Sequence, residues 1–132
     1  MKIALDVLGG DNAPLSTIEG AFSYLDDQGD SAAELILLGD KTQIETTIQK
    51  LSRNKSDIII HHTTEKIEMN ERSSRIFREK PNSSLVKSIK LVQEGKAHAA
   101  VSAGNTGALL SSSLFMIGKI PGIRRPAFAP FI

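Results

Sequence analysis

The chain has no cysteine among its 132 residues. That excludes a disulfide framework, a thiolate nucleophile and a cysteine-ligated metal site. It also lacks any apolar run approaching the roughly 18 residues of a membrane-spanning helix. Charge of one sign is not in excess: 16 Lys and Arg against 15 Asp and Glu leave a net charge of +1. That balance argues against a nucleic-acid binder relying on bulk positive charge. Several chemical motifs are missing too. No HExxH and no carboxylate cluster stands near His61, His62 or His98. Adjacent strand residues point to opposite faces, so His61 and His62 are not expected to share an ion. Neither a metal nor a cofactor is expected. The dinucleotide fingerprint GxGxxG is absent, and Gly39-Asp40-Lys41-Thr42 lacks the leading P-loop glycine.

What is present suits one ordinary domain over residues 1–132, long enough to bury a core. The 40% hydrophobic and 23% charged content is that of a soluble globular protein. The start, MKIALDVLGG, carries an acidic residue inside its short apolar run, so it reads as a first strand rather than a signal peptide. Cytoplasmic is the default location.

Strand-like and helix-like segments alternate. Lys2 to Val7 is a β-type run ending at Gly9-Gly10. From Pro14 to Asp27, Ile18, Ala21, Phe22 and Leu25 share a helical face. Glu34 to Leu38 is a buried-type strand. Asp40 follows as an N-cap, with Ile44, Ile48 and Leu51 striping the next helix. Asp57 to His62 is a third strand. Thr63 to Asn82 is polar and weakly periodic and reads as a loop-rich excursion. Asn82 or Ser83 caps a helix bearing Leu85, Ile89 and Val92. His98 to Ser102 is a fourth strand, Thr106 to Ile117 a helix, and Ala127 to Ile132 the start of a fifth strand. The alternation implies right-handed β-α-β units: an α/β fold of three α/β/α layers around a mostly parallel open sheet. The apolar end APFI, without a charged tail, reads as a chain cut short.

Two glycine-rich turns, LDVLGGDNAP and VSAGNTGALLSSS, each follow a strand and lead into a helix. In α/β sheets ligands bind outside the carboxyl ends of the strands. At the second turn, Gly104 to Gly107 and the helix behind them form an anion cradle, with hydroxyl and amide groups from Ser102, Asn105 and Thr106. The competing reading is an ordinary turn with Asn105 or Thr106 as N-cap. At the first turn, Asp6 and Asp11 sit at the same sheet edge, able to orient a substrate, bind a metal or accept from loop amides. The competing reading, favoured by pattern alone, is a helix-entry turn with Asp11 or Asn12 as cap and Pro14 near the first helical position. Arg78 and Lys80, with Arg124 and Arg125, either clamp a phosphate or acidic partner or form a solvated charged loop, to which Arg72 and Arg75 are assigned.

Taken together these segments resemble the bacterial phosphate acyltransferase family of phospholipid synthesis, the PlsX family. The carriers are LDVLGGDNAP; Glu65, Ile67 and Met69; Arg78, Lys80, Ser83 and Ser84; VSAGNTGALL; and Gly118, Ile120, Gly122, Ile123, Arg125, Pro126 and Ala127. Leu8 and Leu85 replace usual methionines, Ser73 stands where proline is common, Asn82 where aspartate is, and Ile76 and Phe77 replace smaller residues. The family's proteins are more than twice as long. The resemblance therefore implies an N-terminal portion of such a protein, truncated and nearly inactive alone, in the isocitrate/isopropylmalate dehydrogenase-like superfamily.

It further implies transfer of an acyl group from acyl-(acyl carrier protein) to inorganic phosphate, without nucleic acid. In the longer proteins it implies a homodimer and peripheral membrane contact. On that reading Gly104, Asn105, Thr106, Gly107 and Ser102 hold phosphate or the oxyanion. Gly9 and Gly10 permit close approach, and Asp11 orients a loop or substrate. Arg78, Lys80 and Arg125 meet phosphate or an acidic carrier protein. The alternatives are a phosphotransacetylase-like enzyme using acyl-CoA, and a non-catalytic anion-binding α/β fragment.

Overall fold

A computed structural model describes residues 1–72 and 74–126. Its strands are β1 (Lys2–Asp6), β2 (Glu34–Gly39), β3 (Ile58–His62) and β4 (Ala99–Ser102). Its helices are α1 (Leu15–Gln28), α2 (Lys41–Lys50), α3 (Ile76–Glu79), α4 (Ser84–Gln93) and α5 (Thr106–Met116). The strands pair in the order β3-β2-β1-β4, every pair parallel. The expected α/β class and parallel sheet are therefore present. The fifth strand expected at Ala127 to Ile132 lies outside the described residues.

The two-residue period of the strands sorts side chains to opposite faces. On one face Ile3, Leu5, Leu35, Leu37, Ile58 and Ile60 meet Ile18 and Phe22 of α1 and Ile44 and Ile48 of α2. On the other, Ala4, Ile36 and Leu38 meet Leu91 of α4. A third cluster joins Ile67 and Ile76 of the excursion to Leu85 and Ile89 of α4 and Ala108 of α5. Central β2 is buried on both faces, which is why its run ELILLG is almost wholly apolar.

Three helix starts follow their local chemistry. The Asp40 side chain accepts from the Gln43 N–H at 2.8 Å, Ser83 from Val86 at 3.3 Å, and Asn105 from Ala108 at 3.0 Å. Helix α1 does not follow the cap expected at Asp11 or Asn12. It begins behind Pro14 with no side-chain cap, so both residues lie too far ahead to reach its first free N–H groups. Instead the Asn12 carbonyl accepts from the Ser16 N–H at 3.2 Å. The excursion holds more order than its polarity suggested: a β-bridge between Glu65 and Ser83, the short helix α3, and two buried anchors, Ile67 and Ile76. Four residues are too few to show a helical period.

Candidate functional site

The two glycine turns meet at the carboxyl edge of neighbouring strands β1 and β4. A β-carbon placed on Gly9 would lie 2.8 Å from the Gly104 nitrogen, 2.9 Å from Ser102 Oγ and 2.7 Å from Asp6 Oδ2. Only glycine fits between those groups. Gly10 sits at φ +101°, in the left-handed region where other residues are strained.

Beneath the contact lies Asp6, 2% exposed. Its Oδ1 accepts from the Leu8 N–H at 3.2 Å and from the Ser84 hydroxyl at 2.5 Å. Its Oδ2 accepts from the Ser102 hydroxyl at 2.7 Å, and Ser102 Oγ in turn accepts from the Gly104 N–H at 3.0 Å. One carboxylate thus ties β1, the start of α4 and both glycine turns. The sequence reading left it among several options for two aspartates. The other, Asp11, is exposed in the turn behind Gly10.

Asn105 is buried and doubly employed. Its Oδ1 caps α5, while its Nδ2 donates to the carbonyls of Glu68, Met69 and Glu71 at 3.1, 3.2 and 2.7 Å. It therefore fastens the excursion to the N-terminus of α5. With Ala108 capped and the Gly104 N–H held by Ser102, the N–H groups of Thr106 and Gly107 remain without partners inside the helix. Both residues are exposed. Gly107 lines a cleft of about 510 Å³ whose other walls include Glu71, Arg72, Ser74, Asn105 and Ser111.

The cations divide differently from the sequence reading. Arg72, assigned to a solvated loop, lines the cleft. Lys80 donates to the Lys66 carbonyl at 2.8 Å and pairs with Glu71, bracing the loop that Asn105 holds. Arg78 is exposed on α3 with its guanidinium 5.3 Å from the centre of the Phe77 ring. Arg125 is exposed beyond α5. The structure thus gathers Gly9, Ser102 and Gly104 at one point and Asn105, Thr106 and Gly107 beside the cleft. Arg78 and Arg125 are outside the cleft lining.

A hydrogen bond from the Glu68 N–H, then the Lys80 ammonium, holds the Glu71 carboxyl below its ordinary pKa. A lowered folded-state value means the unfolded chain binds the proton more readily. The contribution is thus complete above the unfolded value and lost as pH falls through the folded one. Acidification below the usual carboxylate range should therefore unprotect the Glu68 amide in hydrogen exchange before the sheet opens. In Glu71→Ala, which leaves the Glu68 N–H no side-chain acceptor, that protection should already be lost at neutral pH. An unchanged Glu68 exchange rate in the variant would contradict this coupling.

Among the described residues, no group of three or more His, Asp or Glu is placed to hold a metal ion. Burial, then the charges of Lys87 and Lys96, lower the pKa of His61, whereas His62 accepts from the Lys41 N–H at 3.1 Å at the start of α2. No helix among the described residues is long and apolar enough to cross a membrane.

An all-parallel four-stranded sheet with helices on both faces defines an α/β domain. The chain belongs to the family described as "Fatty acid synthesis protein", which matches residues 1–132. It is 45% identical over its whole length to a phosphate acyltransferase of Dictyoglomus turgidum, of which the match covers 38%. It is 43% identical over its whole length to a phosphate acyltransferase of Clostridioides difficile, again over 38% of that protein. Against one from Bacillus licheniformis it is 45% identical over 130 residues, 98% of this chain and 38% of the relative. The chain thus spans little more than a third of the length of these curated relatives.

Proposed function

We propose that this chain supplies the phosphate-handling turns of a phosphate acyltransferase acting in the cytoplasm on acyl-(acyl carrier protein) and inorganic phosphate. The observation that carries the reading is the cleft at the start of α5. Gly107, in the first turn of the helix, and Arg72 line it, and Thr106 is exposed next to Gly107; a helix N-terminus and a cation suit a phosphate dianion. The relatives' shared name supplies the reaction class.

The chemistry asks little of side-chain bases. Phosphate is already an anionic nucleophile, so no serine–histidine pair is required. One of its oxygens attacks the thioester carbonyl; the C–O bond forms, the tetrahedral oxyanion collapses, and the C–S bond breaks. The products are acyl phosphate and the carrier thiol. A thiol of pKa about 8.5 leaves with little acid assistance. The remaining work is to hold the two reactants together and stabilise the oxyanion. Thr106 and Gly107 bind phosphate, Asn105 fixes the cleft wall, and Gly9 and Gly10 let reactants approach the backbone. Ser102 and Gly104 shape the turn. Asp11, Arg78, Lys80 and Arg125 are offered to the carrier protein or to loop positioning, on the strength of the resemblance alone. So are a homodimer, peripheral membrane contact and the place of the fold in the isocitrate/isopropylmalate dehydrogenase-like superfamily.

The test is phosphate-dependent release of free carrier protein by the whole protein as the cell makes it, with inorganic phosphate titrated in parallel while amide shifts are followed. Shifts centred on Ser102 to Gly107 and turnover of the carrier-bound acyl group are expected. Turnover of acetyl-CoA with the carrier protein ignored would replace the reading with a phosphotransacetylase. Shifts confined to a distant surface would remove the site.

A further inference from the structure

We propose that Asp6 is a positioning residue for the anion-binding turn, acting through the Ser102 hydroxyl on the Gly104 backbone. The inference rests on the phosphate reading above and adds to it a residue that no part of that mechanism uses. As a carboxylate, Asp6 can only accept hydrogen bonds. The Ser102 hydroxyl has a single proton, and it points to Asp6 Oδ2 at 2.7 Å. Its lone pairs are thereby turned to the Gly104 N–H, 3.0 Å away. The direction of each bond follows from the one before it.

That chain decides which N–H groups the anion meets. With Gly104 held by Ser102, the peptide between β4 and α5 is fixed, and with it the first turn of α5, where the N–H groups of Thr106 and Gly107 have no acceptor within the helix. An asparagine at position 6 has the same shape but presents one acceptor oxygen and one NH2 group. It cannot accept from Ser84 and Ser102 through separate oxygens. If its NH2 faces Ser102, the serine proton turns away and Gly104 competes with the amide for the same lone pairs. The first glycine turn reinforces the arrangement, because Gly9 leaves no space for the network to spread: a Cβ there would lie 2.7 Å from Asp6 Oδ2.

The experiment uses the protein as the cell makes it, with Asp6→Asn, Ser102→Ala, the double variant, and Ile48→Val. Ile48 belongs to the core on the α1 and α2 side of the sheet. Asp6→Asn should raise the KM for inorganic phosphate about tenfold while the KM for acyl-(acyl carrier protein) stays within twofold. Ser102→Ala should do the same, and the double variant should be no worse than either single one, because both act along one chain. Ile48→Val controls for general destabilisation and should leave both KM values unchanged. Additive losses in the double variant overturn the proposal. So does an Asp6→Asn enzyme with equal losses for both substrates. Failure of the unsubstituted protein to transfer acyl groups to phosphate would count against the function instead. The positioning claim is then decided by hydrogen exchange: it stands if Asp6→Asn and Ser102→Ala both accelerate the Gly104 amide more than tenfold, and falls if either leaves it unchanged.

Discussion

Gly9→Ala is expected to be among the most damaging single substitutions in the chain. The added carbon has no direction in which to relax. It would meet Asp6 Oδ2 at 2.7 Å, the Gly104 nitrogen at 2.8 Å and Ser102 Oγ at 2.9 Å, two of them parts of a buried network and one of them backbone. Overpacking of this kind costs about 1–3 kcal/mol. Displacing a buried carboxylate from its hydroxyl donors adds about 1–3 kcal/mol more. A thermal melt should therefore show a midpoint roughly 10 °C lower. The Gly104 amide should lose its protection at temperatures where β2 still holds its own. A melt within a degree or two of the unsubstituted protein would mean that the turns do not touch.

The second large effect belongs to Asn105, and two substitutions divide its duties. Asn105→Ala removes the cap of α5, worth about 1 kcal/mol. It also takes a side-chain donor from three loop carbonyls, of which Glu68 keeps the Glu71 N–H, for a combined loss of about 2–4 kcal/mol. Asn105→Asp keeps the cap, since its oxygen still accepts from the Ala108 N–H. But it donates nothing and sets a negative charge against the carbonyls of Glu68, Met69 and Glu71. Both variants should weaken phosphate binding at least tenfold, because the cleft wall detaches in each. Only Asn105→Ala should fray the first turn of α5. Amide exchange across residues 66–72 and 106–109 separates the two outcomes. Protection of residues 66–72 in Asn105→Asp equal to that of the unsubstituted protein would show that the side chain does not hold the loop.

Much of the fold was legible because its signals are local. Asp40, Ser83 and Asn105 each sit one residue before the helix they cap, and at Asp40 and Ser83 a periodic apolar stripe announces that helix. The glycine turns were legible as turns, and the strands as short β-type runs. The network beneath them was not. Asp6 finds its partners 78 and 96 residues away, at Ser84 and Ser102, and no periodicity links positions so far apart. Arg72, exposed in its loop as expected, was not legible as a cleft residue for a related reason. A cation in a polar stretch looks the same whether it faces open solvent or a cleft, and only the tether from Asn105 decides. The resemblance drew attention to the residues of the second glycine turn. It did not show that Asn105 spends its side chain on structure.

The pairing of β1 with β4 also sets an order of assembly. Asp6 and Ser102 are 96 residues apart in sequence yet adjacent in the sheet. At a synthesis rate of about 5–20 residues per second, Asp6 waits roughly 5–20 s for Ser102 to be made. In that interval β1, β2 and β3 with α1 and α2 already hold the residues of one complete apolar face. The other face still lacks α4, and the carboxylate that will join the two turns has the Leu8 N–H but neither of its hydroxyl partners. Closing so long a loop is the slow step for a sheet of this connectivity. The β4 side of the carboxyl edge is thus made after the α1 and α2 side, and a chaperone or neighbouring chain that recognises nascent β1 meets Asp6 before the hydroxyls of Ser84 and Ser102 exist.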